Sequence, residues 1–461
     1  MFEKKHHVHF VGVGGIGMSG IAELLLNMGY VVSGSDLAES ETTRRLERLG
    51  AVVEIGHAPD HVLEHIDVVV ISSAVRMSNP EVVRARELRI PVIPRAEMLA
   101  ELMRMKFGVA VAGAHGKTTT TSLIGSVLAR GGLDPTIVVG GRVHAFGANA
   151  RLGQGQFLVA EADESDGSFL RLTPAIAVIT NLDLEHVDHY GDMSAIRQAF
   201  AAFASRVPFY GLIVVCAENP EAVAALSSLA SKRVMTYGLD AGEVRARDVQ
   251  MSAVGSRFHI TYGERRVGDV ETRLVGRHNV LNALAAVCVG LELEIPFPLV
   301  RQGLAEFAGV GRRFEIKGDI DGVLVVDDYG HHPTEILATL AAAKVHERRL
   351  VVVFQPHRYS RTHALAERFG ESFDDADVVL VTDVYAAGEK PIPGAGAERI
   401  VEAARAHGHQ AVEYVGDLNA AQARVAALVQ TGDLLLTLGA GDVWKVGEHF
   451  VAERAKTGER S

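Results

Sequence analysis

The sequence predicts an α/β fold built from three domains. Short apolar runs rich in valine, isoleucine and leucine alternate with helical stretches along the chain, which is typical of parallel strands joined by crossover helices. With 461 residues, the chain is too long for one hydrophobic core and long enough for two to four domains. We place the boundaries near residues 106 and 311, which gives domains 1–106, 107–311 and 312–461.

The first domain is expected to be Rossmann-like, because strands and helices alternate from its start. Val8–Val13, Val31–Gly34 and Val68–Ser72 have the composition of buried strands. Ile16–Met28 and Thr42–Leu49 have the spacing of helices.

The central and third domains show the same alternation. In the central domain we expect strands at Val109–Ala112, Leu158–Glu161, Ala175–Thr180 and Leu212–Cys216, a small antiparallel edge patch over Val244–Leu274, and helices at His278–Glu292 and Pro298–Phe307. The third domain begins near Arg312 and is expected to be Rossmann-like, with strands at Val323–Asp327, Leu350–Phe354, Val378–Thr382 and Leu434–Leu438.

Composition excludes several classes of protein. The formal net charge of -11 argues against non-specific nucleic-acid binding, which needs a basic face. The two cysteines, Cys216 and Cys288, lie in apolar runs, so we expect buried free thiols. The chain lacks an uncharged apolar run of the ~18 residues that a membrane span needs, and glycines interrupt the only stretch that resembles a signal peptide. We expect a cytoplasmic protein, either a monomer or a weak homo-oligomer.

The first glycine-rich motif is Gly12–Gly17, which follows a strand and opens a helix. Asp36 ends the next strand, about where a ribose-binding acid belongs in a dinucleotide fold. The motif requires only a ligand whose pyrophosphate can lie against a helix N-terminus, and both NADH and a UDP-sugar contain a pyrophosphate. A tight turn without a ligand is the structural alternative.

The second glycine-rich motif is Gly113-Ala114-His115-Gly116-Lys117-Thr118-Thr119. A phosphate loop needs backbone N–H groups around a concavity, a lysine for the β- and γ-phosphates and a hydroxyl for Mg²⁺. Lys117 and Thr118 fit those requirements. Val111 stands where the full pattern has its first glycine, so this is a shortened loop. The motif predicts a central domain like those of P-loop ATPases.

Acidic residues and a histidine follow two other strands of the same domain. Glu161 ends one strand, and an acid at the carboxyl end of a strand beside a phosphate loop is a candidate Mg²⁺ ligand. His186 follows the next strand and is a second candidate. A solvated acidic turn and a surface histidine are the structural alternatives.

Asn279 and Asn282 lie three residues apart, on one face of a predicted helix. Side-chain amides so placed can read the edge of a base, or they can satisfy nearby backbone groups. In the third domain, Arg358 and Arg361 follow an apolar strand and can hold a carboxylate or phosphate with two parallel hydrogen bonds. A structural ion pair is the alternative for these arginines.

Taken in order, these motifs resemble those of the Mur ligase family over almost the full length of the chain, and most closely those of its alanine-adding members. The family commonly has threonine at Ala114 and aspartate at Glu185. The strings that carry the resemblance are GVGGIGMSGIAE, AGAHGKTTTT, EADESDGSFL, GRHNVLNALAA, DDYGHHPTEI and FQPHRYSRT.

The resemblance implies that the first domain binds UDP-N-acetylmuramate, the second binds ATP and Mg²⁺ (for which Mn²⁺ can substitute), and the third binds L-alanine. It also implies that the muramoyl carboxylate is phosphorylated by ATP and that the amine of alanine then displaces phosphate. This order of steps agrees with general chemistry, because a carboxylate is a poor electrophile until it is phosphorylated.

The resemblance further implies a role for each motif residue. The expected ATP contacts are Gly113, His115, Gly116, Lys117, Thr118, Thr119, His278, Asn279, Asn282, Arg313 and Asp328, and the expected metal ligands are Thr118, Glu161 and His186. The expected UDP-sugar contacts are Gly14, Gly15, Ile16, Gly17, Asp36 and Ser72. The expected amino-acid contacts are Tyr329, His331, His357, Arg358 and Arg361, and Lys117, His186, His331 and Arg361 are the expected catalytic residues.

Later ligases of the family resemble one another in using a carbamylated lysine to hold a second Mg²⁺. The sequence contains no lysine between Lys117 and Lys232, so that ligand cannot be built here. Three other functions remain open: a ligase that attaches a recycled tripeptide to the same sugar nucleotide, an NAD-dependent dehydrogenase, and a non-catalytic nucleotide sensor.

Overall fold

The computed structural model describes residues 6–72, 74–143, 148–185 and 187–458. The chain folds into two compact units. The first consists of Met1–Val249, Phe258–Glu271 and Leu281–Ala308, and the second of Gln250–Arg257, Thr272–Val280 and Gly309–Ser461.

The first sheet has five parallel strands in the order β3-β2-β1-β4-β5. The strand order reverses at β1, so the carboxyl ends of β1 and β4 diverge into helices on opposite sides, which is where doubly wound sheets bind ligands. The elements are β1 (His7–Val11), α1 (Ile16–Asn27), β2 (Val31–Asp36), α2 (Glu41–Arg48), β3 (Val52–Ile55), a 3₁₀ turn (Pro59–His61), β4 (Val68–Ile71), α3 (Pro80–Glu87), β5 (Val92–Pro94) and α4 (Arg95–Arg104).

The second sheet has ten strands in the order β15-β14-β13-β12-β11-β10-β6-β9-β7-β8. Its elements are β6 (Phe107–Ala112), α5 (Lys117–Arg130), β7 (Thr136–Val143), β8 (Ala148–Arg151), β9 (Phe157–Glu161), a 3₁₀ turn (Ser168–Arg171), β10 (Ile176–Ile179), α6 (Val187–Tyr190), α7 (Met193–Ser205), β11 (Leu212–Cys216), α8 (Pro220–Ala225), β12 (Val234–Gly238), β13 (Val244–Ser252), β14 (Gly255–Tyr262), β15 (Arg265–Thr272), α9 (Arg277–Glu292) and α10 (Phe297–Glu306).

The middle of this sheet is parallel and buried on both faces. β6 lies between β9 and β10 with parallel register, so the carboxyl ends of all three strands meet at one edge. Two-residue turns join β13, β14 and β15 at one end of the sheet, as expected for an antiparallel patch of hairpins. The prediction of short edge strands over Val244–Leu274 is therefore confirmed.

The third sheet lies in the second unit and has the order β16-β17-β21-β18-β19-β20, with only β16 antiparallel. Its elements are β16 (Glu315–Ile320), β17 (Val323–Asp328), α11 (Pro333–Lys344), β18 (Leu350–Phe354), α12 (Tyr359–Gly370), β19 (Val378–Thr382), α13 (Glu398–His407), β20 (Val412–Gly416), α14 (Leu418–Leu428), β21 (Leu434–Leu438) and α15 (Trp444–Gly458).

Three α/β sheets confirm the predicted fold class, while the boundaries at 106 and 311 stay a prediction. The central strands are apolar at every position because helices cover both faces: β11 and β18 are buried throughout. Cys216 and Cys288 are buried free thiols, as predicted. Among the residues that the structure describes, every helix is too short or too polar to cross a membrane.

Candidate functional site

The Gly12–Gly17 loop connects β1 to α1 and is held to β2 by hydrogen bonds. The N–H of Gly12 donates to Ser35 O over 2.8 Å, and the N–H of Gly14 donates to the Asp36 carboxylate over 2.8 Å. A Cβ at Gly14 would lie 2.9 Å from that carboxylate, so a larger residue would push the loop away from β2. Asp36 thus fixes the loop from the position where the sequence predicted a ribose contact.

A groove of about 660 Å³ opens beside this loop. Four of the predicted UDP-sugar contacts line it, whereas Gly17 does not, and a Cβ added at Gly17 would lie 3.1 Å from the Arg95 side chain. Ile16 begins α1. Sequence reasoning missed five polar residues of the groove: Ser40, His57, Arg76, Ser78 and Asn79. The four predicted contacts that line the groove are Gly14, Gly15, Asp36 and Ser72.

The phosphate loop connects β6 to α5 and is shaped by two glycines. Gly113 has a φ of 140° and Gly116 a φ of 80°, which favour glycine. Asn181, which follows β10, fastens the loop: its side chain accepts from His115 N over 2.9 Å, and its carbonyl accepts from Ala114 N over 3.0 Å. Sequence reasoning assigned no role to Asn181, although its place after a strand beside β6 was a usable signal.

Lys117 opens α5 and pairs with Glu164, on the turn after β9. The ammonium donates to Glu164 Oε1 over 2.7 Å and also to the carbonyls of Gly113 and Ala114. Burial lowers the pKa of Lys117, but the carboxylates of Glu164 and Glu161 outweigh it and raise that pKa above its usual value. Burial raises the pKa of the Glu164 carboxyl to about 7, against the opposing effect of Lys117.

Two oxygen ligands suited to Mg²⁺ lie together beside this lysine. The hydroxyl of Thr118 donates to Glu161 Oε2 over 2.9 Å, and Glu161 pairs with Val111 across β6 and β9. Hydroxyl and carboxylate oxygens are the hard ligands that Mg²⁺ prefers, so these residues fit the predicted ion. The third predicted ligand, His186, lies outside the described residues.

Asn282 of α9 contacts the phosphate loop within the first unit. Its Oδ1 accepts from Thr120 Oγ1 over 3.1 Å and lies 2.6 Å from where a Cβ at Gly116 would stand. Asn279, in the second unit, donates to Val275 O over 2.8 Å. The local backbone contact that the sequence left open is therefore present at Asn279, and base contacts by either amide stay a prediction.

Three further predicted ATP contacts belong to the second unit. The carboxylate of Asp328 accepts from Phe314 N over 2.7 Å and Gly330 N over 2.8 Å, and burial raises its pKa to about 6. The guanidinium of Arg313 lies 5.1 Å from the centre of the Tyr329 ring. Burial, followed by the charge of Arg313, lowers the pKa of His278 to about 4, so this imidazole is neutral at pH 7.

The predicted amino-acid contacts gather after β17 and β18. His331 meets Tyr329 and His357 edge-on, with ring centres 5.4 and 5.6 Å apart. His357 also stacks on Tyr385, which follows β19 and was missed from the sequence. Burial, His331 and Arg361 lower the pKa of His357 to about 3.

Arg358 precedes α12 with a φ of 70°, and Arg361 lies in the first turn of that helix. A strained non-glycine residue at a strand end is typical of functional loops. The structure thus places Tyr329, His331, His357, Arg358 and Arg361 after the carboxyl ends of β17 and β18, which lie on either side of β21 in one sheet. Their binding of an amino acid stays a prediction.

A phosphate loop with its lysine, a hydroxyl–carboxylate pair beside it and a second glycine-rich groove define a nucleotide-binding α/β protein. Three family models match in chain order: "Mur ligase family, catalytic domain" at residues 7–107, "Mur ligase middle domain" at 111–290 and "Mur ligase, glutamate ligase domain" at 312–441. The chain belongs to the Mur ligase family, as the motifs predicted.

The chain is similar to several characterised members along nearly all of its length. It is 56% identical to the UDP-N-acetylmuramate–L-alanine ligase of Geotalea uraniireducens, covering 98% of each chain. The crystal structure of the UDP-N-acetylmuramate-alanine ligase of Thermotoga maritima matches with a TM-score of 0.82 and 31% identity, over 98% of this chain and 99% of that one. A UDP-N-acetylmuramate:L-alanyl-γ-D-glutamyl-meso-diaminopimelate ligase from Neisseria meningitides matches with a TM-score of 0.62 and 30% identity, over 67% of this chain and 100% of that one.

Proposed function

We propose that this protein is an ATP-dependent ligase that joins L-alanine to the carboxylate of UDP-N-acetylmuramate, a step in the synthesis of peptidoglycan precursors. The observation that carries the proposal is the 56% identity to an L-alanine ligase over 98% of both chains. The alternative of an NAD-dependent dehydrogenase has no support, because the loop that follows β6 in the second sheet is a phosphate loop with its lysine.

The reaction proceeds in two steps. An oxygen of the muramoyl carboxylate attacks the γ-phosphorus of ATP, the bond to the β–γ bridging oxygen breaks, and ADP leaves. The amine of alanine then attacks the acyl carbon, inorganic phosphate leaves with the former carboxylate oxygen, and the nitrogen loses a proton. Both steps develop negative charge on phosphate oxygens, so the protein's main task is to place cations and N–H donors there.

The phosphate loop supplies the protein's part of that charge stabilisation. Lys117 would contact the β- and γ-phosphates, and the loop from Gly113 to Thr119 would surround them with N–H groups. Thr118 and Glu161 would hold Mg²⁺, which when bound neutralises charge on the polyphosphate. His186 is proposed as a further ligand from its place in the sequence.

The remaining assignments follow the positions of the predicted residues. The groove beside Gly14 and Gly15 would receive the uridine diphosphate of the sugar substrate, with Asp36 and Ser72 close to the nucleoside. The α9 residues His278, Asn279 and Asn282, together with Arg313 and Asp328, would face ATP. Alanine would be held by the second-unit group Tyr329, His331, His357, Arg358 and Arg361.

A coupled assay of ADP release tests this function. We expect ADP to form only when ATP, UDP-N-acetylmuramate and L-alanine are all present, with the sugar nucleotide gaining one alanyl group by mass spectrometry. ADP release that ignores the omission of L-alanine, or that needs no sugar nucleotide, would contradict the proposal.

A ligase that attaches a recycled tripeptide is the second candidate, favoured by the likeness to the Neisseria meningitides enzyme. That match has 30% identity, against 56% for the alanine ligase. Replacing L-alanine with L-alanyl-γ-D-glutamyl-meso-diaminopimelate in the same assay separates the two. We expect L-alanine to give the larger kcat/KM, and a preference for the tripeptide would select the second candidate.

A further inference from the structure

Lys117 uses all of its hydrogen-bonding capacity within the protein. An ammonium has three donors, and these reach Glu164 Oε1 at 2.7 Å, Gly113 O at 2.6 Å and Ala114 O at 3.1 Å. A phosphate oxygen that binds Lys117 must therefore replace one of these partners. Glu164 is the only one of the three that carries a negative charge.

Glu164 is held firmly in this position by its own backbone. Its carbonyl accepts from the Tyr190 hydroxyl over 2.5 Å and from Gly167 N over 3.0 Å. The side chain is 4% exposed, so it cannot turn into solvent without moving the turn. Asp163 lies next to it, and its side chain caps the same turn at Ser165 N.

A phosphate group and Glu164 would compete for the same ammonium. Glu164 in its ionised form and the phosphate are both anions, and two anions side by side in a poorly solvated site repel each other strongly. A nucleotide whose phosphate takes the place of Glu164 on Lys117 breaks a buried ion pair and leaves a carboxylate close to its own phosphates. The 2.7 Å contact therefore works against nucleotide binding while it keeps the lysine extended along the loop.

We propose that Glu164 is a positioning residue that holds Lys117 in the phosphate loop and is displaced from it by nucleotide phosphate, so that Glu164 limits the affinity for nucleotide. The proposal rests on the nucleotide-binding half of the proposed function and is independent of the sugar and amino-acid substrates. It differs from the metal-ligand role proposed for Glu161 and Thr118.

The test is the dissociation constant of ADP, measured by titration calorimetry with the full-length protein. Glu164→Gln keeps the size of the side chain and removes its charge, so ADP should bind about 10-fold more tightly, since the like-charge contact is lost. A structural defect would weaken binding instead. The matched control is Asp166→Asn, in the same turn, where the residue is exposed and accepts from Ser168 N; its dissociation constant should match that of the wild type.

Two further variants keep the proposal falsifiable. In a Lys117→Met background, Glu164→Gln should give little or no gain, because there is no ammonium to compete for. If Glu164→Gln does not fold, Glu164→Asp withdraws the carboxylate by one methylene and should still tighten ADP binding, by about 3-fold. An unchanged or larger dissociation constant in the folded Glu164 variant overturns the proposal, as does an equal gain without Lys117. If wild-type protein fails to bind ADP, the proposed function itself fails.

Discussion

His278 is a neutral histidine held in the second unit by burial, and this makes stability depend on pH. Its pKa is about 4 when folded and about 6.5 when unfolded. Between these values the unfolded chain binds the proton and the folded one does not, so stability falls as the pH drops from 6.5 towards 4. The loss from this residue should be about 1–3 kcal/mol.

We therefore expect His278→Gln to flatten the pH dependence of the urea midpoint between pH 7 and pH 5, measured by circular dichroism. The control is His449→Gln, because His449 is exposed on α15 of the same unit; it should keep the wild-type slope. An unchanged slope in His278→Gln would show that this imidazole is not held neutral.

Individual residues show which features of the site a sequence can reveal. Lys117 and Thr118 were predictable because they follow an apolar strand in a glycine-rich loop, and Glu161 because it ends another strand at the edge where parallel strands end. Glu164 and Tyr385 were not, because their importance comes from a partner far away in sequence: Lys117 for the first and His357 for the second. Nothing in the local pattern distinguishes such an acid from a solvated turn.

At the scale of elements, the phosphate loop depends on glycine where a side chain has no room. A Cβ at Gly113 would overlap the hydroxyl of Thr180, and the φ of 140° adds strain. Gly132 also has a positive φ, 76°, but a Cβ added there would have no neighbouring atom within 4 Å. Gly113→Ala should therefore cost more than the ~1 kcal/mol of backbone strain alone and should weaken ADP binding.

Thermal melting and ADP titration compare the two variants directly. Gly132→Ala should lower the stability only by the cost of the backbone strain, and it should bind ADP like the wild type. Equal melting temperatures and equal ADP affinities in the two variants would show that the close approach of β10 to the loop is not important.

Buried strands were predicted from the sequence more accurately than exposed ones. The strands β6, β11 and β18 are apolar throughout and β21 has a single polar residue, Thr437, and all four were predicted within two residues. β3 was missed: it reads Val-Val-Glu-Ile, and three of its residues are exposed at the edge of the first sheet. An edge strand gains little from apolar side chains, so its sequence carries little signal.

At the scale of the whole molecule, the lysine-free stretch between Lys117 and Lys232 limits the chemistry of the metal site. A carbamate needs a lysine amine and CO₂, so activity should be insensitive to the removal of bicarbonate and CO₂. Rates in degassed buffer with and without added bicarbonate measure this. A rate that falls on degassing and returns with bicarbonate would require a carbamylated lysine from another part of the chain.

The central claim is that the whole chain couples ATP cleavage to activation of the UDP-N-acetylmuramate carboxylate. The most direct test is oxygen transfer, using UDP-N-acetylmuramate labelled with ¹⁸O in that carboxylate, with ATP and L-alanine, and mass analysis of the phosphate released. Attack of the carboxylate on the γ-phosphate followed by loss of phosphate predicts one ¹⁸O atom in the inorganic phosphate and ADP as the nucleotide product. Unlabelled phosphate would contradict the account, because it would mean that water, and not the carboxylate, had attacked ATP.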